Sequence, residues 1–248
     1  MATADPMNRY FAADDPAWFV AYSTSHWVVL LIFVFLTAAL FIWRKGLREG
    51  GGSRWVRYGL AGVLGLSELS LNLWYVWQNM YDVKDSLPLE LCSLSLYMCF
   101  FMLLTRSYWL FQIVYFTGIG GAMQAMLTPA VGYAFPHYRF LEFFAAHIAI
   151  ILSVLYMVWV EKYRPTWKSI PITMGFLNVM LVIDLGVNKW TGGNYMFLAG
   201  KPDTPSLLDV LGPYPWYLLS LEGTAIVLFV LMYLPFAISD RRRKRIAG

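Results

Sequence analysis

Charge is what this sequence has least of. Asp, Glu, Lys and Arg make up 14% of its 248 residues, where a soluble domain carries about 25%. That deficit argues against both a disordered chain and an ordinary soluble globule. Cysteine is nearly absent: Cys92 and Cys99 are too few for a disulfide-framed secreted domain or a cysteine zinc cluster. The three histidines, His26, His137 and His147, lack the close i,i+4 pairing of a helical zinc site, so no metal ligand set is expected. The last apolar run has no lysine, which argues against a retinal Schiff base. The N-terminal flank carries Asp5, Asp14 and Asp15 instead of a basic region, so the first apolar run does not read as a secretory signal. No internal repeat and no low-complexity tract is visible. Gly118-Ile-Gly-Gly121 follows no strand and is therefore not a nucleotide loop; small residues of this kind let helices approach closely.

What is abundant is apolar sequence. Hydrophobic residues make up 59% of the chain, and the mean hydropathy is +0.55. A helix needs about 20 mostly apolar residues to cross a bilayer core. Seven segments qualify, at about 26–43, 57–78, 88–105, 108–128, 139–160, 168–187 and 213–237. The expected fold is one all-α integral membrane domain, 1–248, a seven-helix bundle. Pro171, Gly175 and Asn178 are expected to interrupt the sixth span. The longest connection, 188–212, is rich in Gly, Pro and Asn but also in Met, Phe and Leu. It should fold back as a lid or a short interfacial helix.

Lys and Arg orient the bundle. Fourteen of the nineteen fall on one side, including Arg44, Lys45, Arg48, Arg54, Arg57, Arg106, Lys162, Arg164, Lys168 and the 241–245 tail. The other side holds Arg9, Lys84, Arg139, Lys189 and Lys201. The expectation is an outside N-terminus and a cytoplasmic C-terminus in the cell inner (plasma) membrane. The basic tail then reads as a topology anchor beside anionic lipid, with no nucleic-acid partner.

Ionisable groups inside a membrane are costly, so they are the first functional candidates. The expected topology places Glu68, Asn72, Glu90, Cys92, Gln124, Glu142, His147, Asp184, Tyr217 and Glu222 in the outer half of the bilayer. Polar groups from six helices at one depth suggest one pocket open to the outside. The bland alternative is a set of interhelical hydrogen bonds that hold the bundle together. A thiol in that pocket is inert without a base, and His147 can serve Cys92 as one. Glu142, Glu68 or Glu222 can orient the imidazole. Both groups lie roughly 6–12 Å below the outer boundary by helix rise.

Several motifs carry a resemblance. They are Leu87-Pro-Leu-Glu-Leu-Cys-Ser93, Gly118-Ile-Gly-Gly-Ala-Met-Gln-Ala-Met-Leu-Thr-Pro129, Gly193-Asn-Tyr-Met-Phe-Leu198 with Lys201-Pro202, Ser206-Leu-Leu-Asp209 and Leu211-Gly-Pro-Tyr-Pro-Trp-Tyr217. Together they resemble the YwaF-like bacterial integral membrane proteins, a family similar to a vertebrate transmembrane acyltransferase that moves acyl chains between phospholipids. The resemblance implies an acyl-accepting Cys92 and a catalytic His147. It also implies a phospholipid or lysophospholipid substrate and no cofactor. Many relatives have His where this chain has Glu90. Asn72, Gln124 or Asn194 can then donate to the oxyanion, Lys201 and Arg139 can meet the lipid phosphate, and Tyr195 and Tyr217 line the pocket. Two other readings stay open. One is a transporter or small-molecule binding protein with Glu68, Asp184 and Glu222 as ion or proton sites. The other is a purely structural membrane partner.

Overall fold

A computed structural model describes residues 8–13, 18–201 and 207–247. Asp5, Asp14, Asp15, Pro202 and Ser206 lie outside the described residues, as do the side chains of 8, 9, 207 and 241–247. Every regular element among the described residues is helical: α1 (Asn8–Phe11), α2 (Thr24–Glu49), α3 (Gly52–Trp77), α4 (Leu91–Thr105), α5 (Tyr108–Leu127), α6 (Tyr138–Trp159), α7 (Ser169–Thr191) and α8 (Tyr217–Ala247). Two 3-10 turns, Tyr195–Phe197 and Leu207–Val210, stand in the long connection. Five stretches are long and apolar enough to cross a membrane: α2, α5, α6, α7 and Trp216–Asp240. Helix α4 has only 15 residues, and α3 carries Arg54, Arg57 and Glu68.

Helices α3, α4, α5 and α6 form the inner ring, each packed on the next; α2 covers α6, α7 covers α5, and α8 leans on α5 and α7. The sequence explains who is central. Helix α6 is mostly apolar beyond its first turns and buries every residue from Ala146 to Val154, as an all-round apolar stretch does in a bundle centre. Helix α2 buries only His26 and Leu40 and turns Leu31, Val34 and Phe35 outward. The glycines of α5 each admit a different neighbour. A Cβ on Gly118 would press on Ile150 of α6 at 3.2 Å, one on Gly120 would meet Leu228 of α8 at 3.4 Å, and one on Gly121 would meet Leu91 of α4 at 3.4 Å.

Two expectations change. Helix α7 runs through Pro171, Gly175 and Asn178 without a break. Pro171 sits in the first turn, where the missing N–H has no intrahelical partner to lose, and the Asn178 amide donates to Met174 O at 3.0 Å within its own helix. Arg57 belongs to α3 rather than to a loop and is buried. Its guanidinium donates to Leu103 O at 2.6 Å and Leu104 O at 3.4 Å, a cation on the electronegative C-terminus of α4. The boundary between α4 and α5 is set by Arg106 in a left-handed conformation, φ 55°, followed by the Ser107 side chain capping Leu110 N.

Candidate functional site

The three histidines have separate structural roles. His26 accepts from Tyr22 N at Nδ1, 2.9 Å, so its Nε2–H donates to Met126 O at 2.8 Å. His137 accepts from Arg139 N at Nδ1, 3.1 Å, and donates from Nε2 to Ala12 O, 3.1 Å. Both rings are fully used as pins. Burial also holds the His137 imidazole below the usual histidine range, and Arg139 adds to that effect. His147 differs. Its Nδ1 lies 2.6 Å from Phe143 O, and a carbonyl can only accept, so Nδ1 carries the hydrogen. The lone pair of the neutral ring is therefore on Nε2, for which the described residues supply no hydrogen bond.

Cys92 opens α4 and is half-buried, while Cys99 is fully buried two turns deeper. The Cys92 Sγ stands 3.9 Å from where a Cβ on Gly121 would be. No hydrogen bond joins Cys92 to His147 among the described residues. Glu90, just before α4, lies against the Met196 amide and within electrostatic reach of Asp184. Asp184 is completely buried, and neither carboxylate oxygen has a partner. An unpaired buried carboxylate is costly, so its place in the fold needs a reason other than packing.

The connection after α7 closes over this region as a latch. Asn188 holds the Tyr195 backbone from both sides: Tyr195 N donates to Oδ1 at 2.7 Å and Nδ2 donates to Tyr195 O at 3.0 Å. The Tyr195 hydroxyl accepts from Leu87 N at 2.9 Å and donates to Val83 O at 2.7 Å. Burial holds that hydroxyl above the usual tyrosine range, so it keeps its proton for Val83. The buried Tyr217 hydroxyl donates to Phe197 O. Asn194 ties its own loop, accepting from Ala199 N and Gly200 N and donating to Gly200 O. A Cβ on Gly193 would collide with Lys84 O. These bonds hold Met196 and Phe197 at φ 53° and 55°, left-handed conformations that cost a non-glycine residue roughly 1–3 kcal/mol each.

The other candidate residues form a second cluster among α3, α4 and α6. Glu68 accepts from the Asn72 amide at 3.0 Å and from the Tyr97 hydroxyl at 2.9 Å. Glu142 is ion-paired with Arg139, whose guanidinium lies 5.7 Å from the Trp74 ring. Tyr97 was missed by the sequence reading, and Arg139 was read there only as a possible phosphate contact. The i,i+3 spacing of Arg139 and Glu142 was the available signal. Gln124 is exposed and donates to Thr128 on its own helix at 2.6 Å. Glu222 pairs with Asn178 on the outer surface of α7 and α8, 3.1 Å. The single pocket expected from depth alone is thus two clusters and two outlying pairs.

The chain matches the TMEM164 family over residues 21–233. It belongs to that family. The matched stretch contains both polar clusters, the latch and the two cysteines, and stops short of the basic tail. No curated protein and no solved structure matches the chain. For this TMEM164-family chain, then, the comparison supports a multi-pass membrane protein, and the chemistry must be argued from the side chains. All three amides considered for an oxyanion are engaged: Asn72 with Glu68, Gln124 with Thr128, Asn194 with Gly200. Lys201 stands 5.8 Å over the Tyr217 ring, where it can still face an anion.

Proposed function

We propose that the chain is an intramembrane phospholipid acyltransferase that carries the acyl group on Cys92. The observation that supports this reading is His147, the one histidine whose Nε2 is a lone-pair nitrogen without a partner among the described residues. A base held in that tautomer suits a thiol nucleophile. Catalytic hydrogen bonds are often loose without substrate and tighten on binding. In the first half-reaction Nε2 takes the Cys92 proton and the thiolate attacks the ester carbonyl of a phospholipid. The tetrahedral adduct expels the lysophospholipid alkoxide, which receives the proton from His147. In the second, Nε2 takes the proton of an acceptor lysophospholipid hydroxyl, whose oxygen attacks the thioester. The thiolate leaves and regains its proton from His147.

On this reading all seven long helices cross the cell inner membrane, with the N-terminus outside and the C-terminus in the cytoplasm. Cys92 and the latch then face the outer leaflet. The likeness to YwaF-like proteins, and through them to a vertebrate acyltransferase, supports the same chemistry. No residue is assigned to the oxyanion. The test is intact mass of the purified protein before and after neutral hydroxylamine, with Cys92→Ser and Cys99→Ser in parallel. A fatty-acyl adduct that hydroxylamine removes, present in Cys99→Ser and missing in Cys92→Ser, is expected. No adduct after incubation with mixed phospholipids refutes the reading.

A second reading is favoured by Asp184, whose unpartnered oxygens suit a carrier that binds a proton or cation. A carrier tolerates Cys92→Ser and fails on Asp184→Asn; an acyltransferase loses all activity on Cys92→Ser.

A further inference from the structure

Two adjoining cavities lie at the basic end of the bundle, far from the latch in the fold. The larger, about 510 Å³, is lined by Arg44, Arg48, Lys162 and Arg164 with Trp159 and Phe236. The smaller, about 340 Å³, is lined by Arg48, Arg54 and Arg106 with Ser53 and Glu161. Arg48 lines both. Six cations therefore surround the pair, with Glu161 and Asp240 as the carboxylates in reach. Both carboxylates are already engaged, Glu161 with Arg106 at 3.6 Å and Tyr156 at 2.9 Å, Asp240 with Arg164 at 2.8 Å.

Arg44 and Arg48 are fixed without being neutralised. Arg48 donates from Nε and Nη2 to Trp159 O, at 3.1 and 2.6 Å. Arg44 lies 3.6 Å from the Phe41 ring centre and bonds the carbonyl of the same residue. Carbonyls and rings set orientation but leave the positive charge for another partner. Neither Arg44, Arg48, Arg54 nor Lys162 has an ion pair among the described residues. A cleft with four unpaired cations, two of them held in place, at the end of apolar helices is suited to an anionic headgroup. The larger cavity falls within the range of ordinary ligand sites. Its walls include Val158 and Trp159 at the end of α6 and Pro235 and Phe236 of α8, so apolar surface for acyl chains adjoins the charge.

We infer that the paired cavities bind an anionic lipid whose headgroup carries two phosphate groups, one in each cavity, with Arg48 between them. This site is independent of the proposed acyl transfer. The test is native mass spectrometry of the full-length protein released from phosphatidylcholine nanodiscs. The discs contain cardiolipin, or phosphatidylglycerol at equal total charge, and inorganic pyrophosphate is added in a third arm. One retained cardiolipin is expected, held at least tenfold more tightly than phosphatidylglycerol. The variant Arg54→Gln/Lys162→Gln removes one cation from each cavity and no hydrogen bond among the described residues; it should weaken retention by about 25-fold, about fivefold per cation. Lys189→Gln, at the opposite end, should change nothing. Equal retention of phosphatidylglycerol, or an unchanged double variant with an unchanged melting temperature, overturns the proposal. Pyrophosphate bound without any lipid retention overturns it as well, in favour of a soluble anion.

Discussion

Asn188→Ala tests whether the latch controls the Cys92 thiol. The substitution removes two hydrogen bonds to the Tyr195 backbone, at 2.7 and 3.0 Å. Tyr195 is 1% exposed, so its N–H loses its partner in a place where water cannot replace it, while its C=O keeps the Leu198 N–H at 3.2 Å. A buried polar group left unpaired costs about 1–3 kcal/mol, and the lost second bond to the carbonyl adds about 1 kcal/mol, which puts the change at about 2–4 kcal/mol for the closed loop. The left-handed Met196 and Phe197 add strain that favours opening once the amide is gone. At about 3 kcal/mol, the open fraction rises by roughly a hundredfold. The assay is the rate of maleimide labelling of Cys92 in a Cys99→Ala background, with hydrogen exchange at the Tyr195 amide alongside. Asn188→Asp should fall between, because a carboxylate can accept from Tyr195 N but cannot donate to its carbonyl. Tyr195→Phe, which strips the hydroxyl from Leu87 N and Val83 O, should accelerate labelling in the same direction. If Asn188→Ala speeds amide exchange but leaves Cys92 labelling at the wild-type rate, the loop does not cover the thiol and the reasoning fails.

Gly193→Ala should destabilise the same loop without touching a hydrogen-bonding side chain. The added methyl overlaps Lys84 O, and overpacking of this kind costs about 1–3 kcal/mol; an unchanged Tyr195 exchange rate would contradict it. His137 makes the N-terminal segment sensitive to acid. Burial depresses its pKa in the folded protein, so the unfolded state binds the proton more readily. Its contribution is therefore full above about pH 6.5, the ordinary histidine value, and is lost as pH falls toward the folded value. Hydrogen exchange of the α1 segment, pinned through Ala12 O, should rise over that interval, and His137→Gln should flatten the profile.

The helices were legible because apolar runs advertise themselves by length: seven helices, five of them long and apolar enough to cross a membrane, fall close to the seven runs. Position along each helix was legible too, but rotation about its axis was not. Gln124 turns outward, and Glu68 and Glu142 face a different interface from Glu90 and Asp184. The motif Gly193-Asn-Tyr could be recognised as specific, yet its meaning lies in groups it meets across the fold. Those are Lys84 O, Val83 O, Leu87 N and above all Asn188, which local sequence gave no reason to single out. Pro171 misled because proline breaks helix interiors; its position in the first turn of α7 made it harmless.

Helix α4 has a consequence for the surrounding lipid. Its 15 residues span about 22 Å at the usual rise, some 8 Å less than a hydrocarbon core of about 30 Å. On the proposed topology, with Arg106 O held by the hydroxyl of Tyr163 at 2.6 Å, it ends below the far interface, and the Val83–Leu87 turn and the Tyr195 turn fill the remaining depth as non-helical backbone. Such backbone is tolerated at that depth only when protein covers it. For the acyl transfer proposed above, bilayer thickness thereby becomes a variable of the chemistry. A thinner membrane brings ester groups level with the first turn of α4, and a thicker one lifts them away, so the same thiol would meet different parts of the same lipid in different membranes.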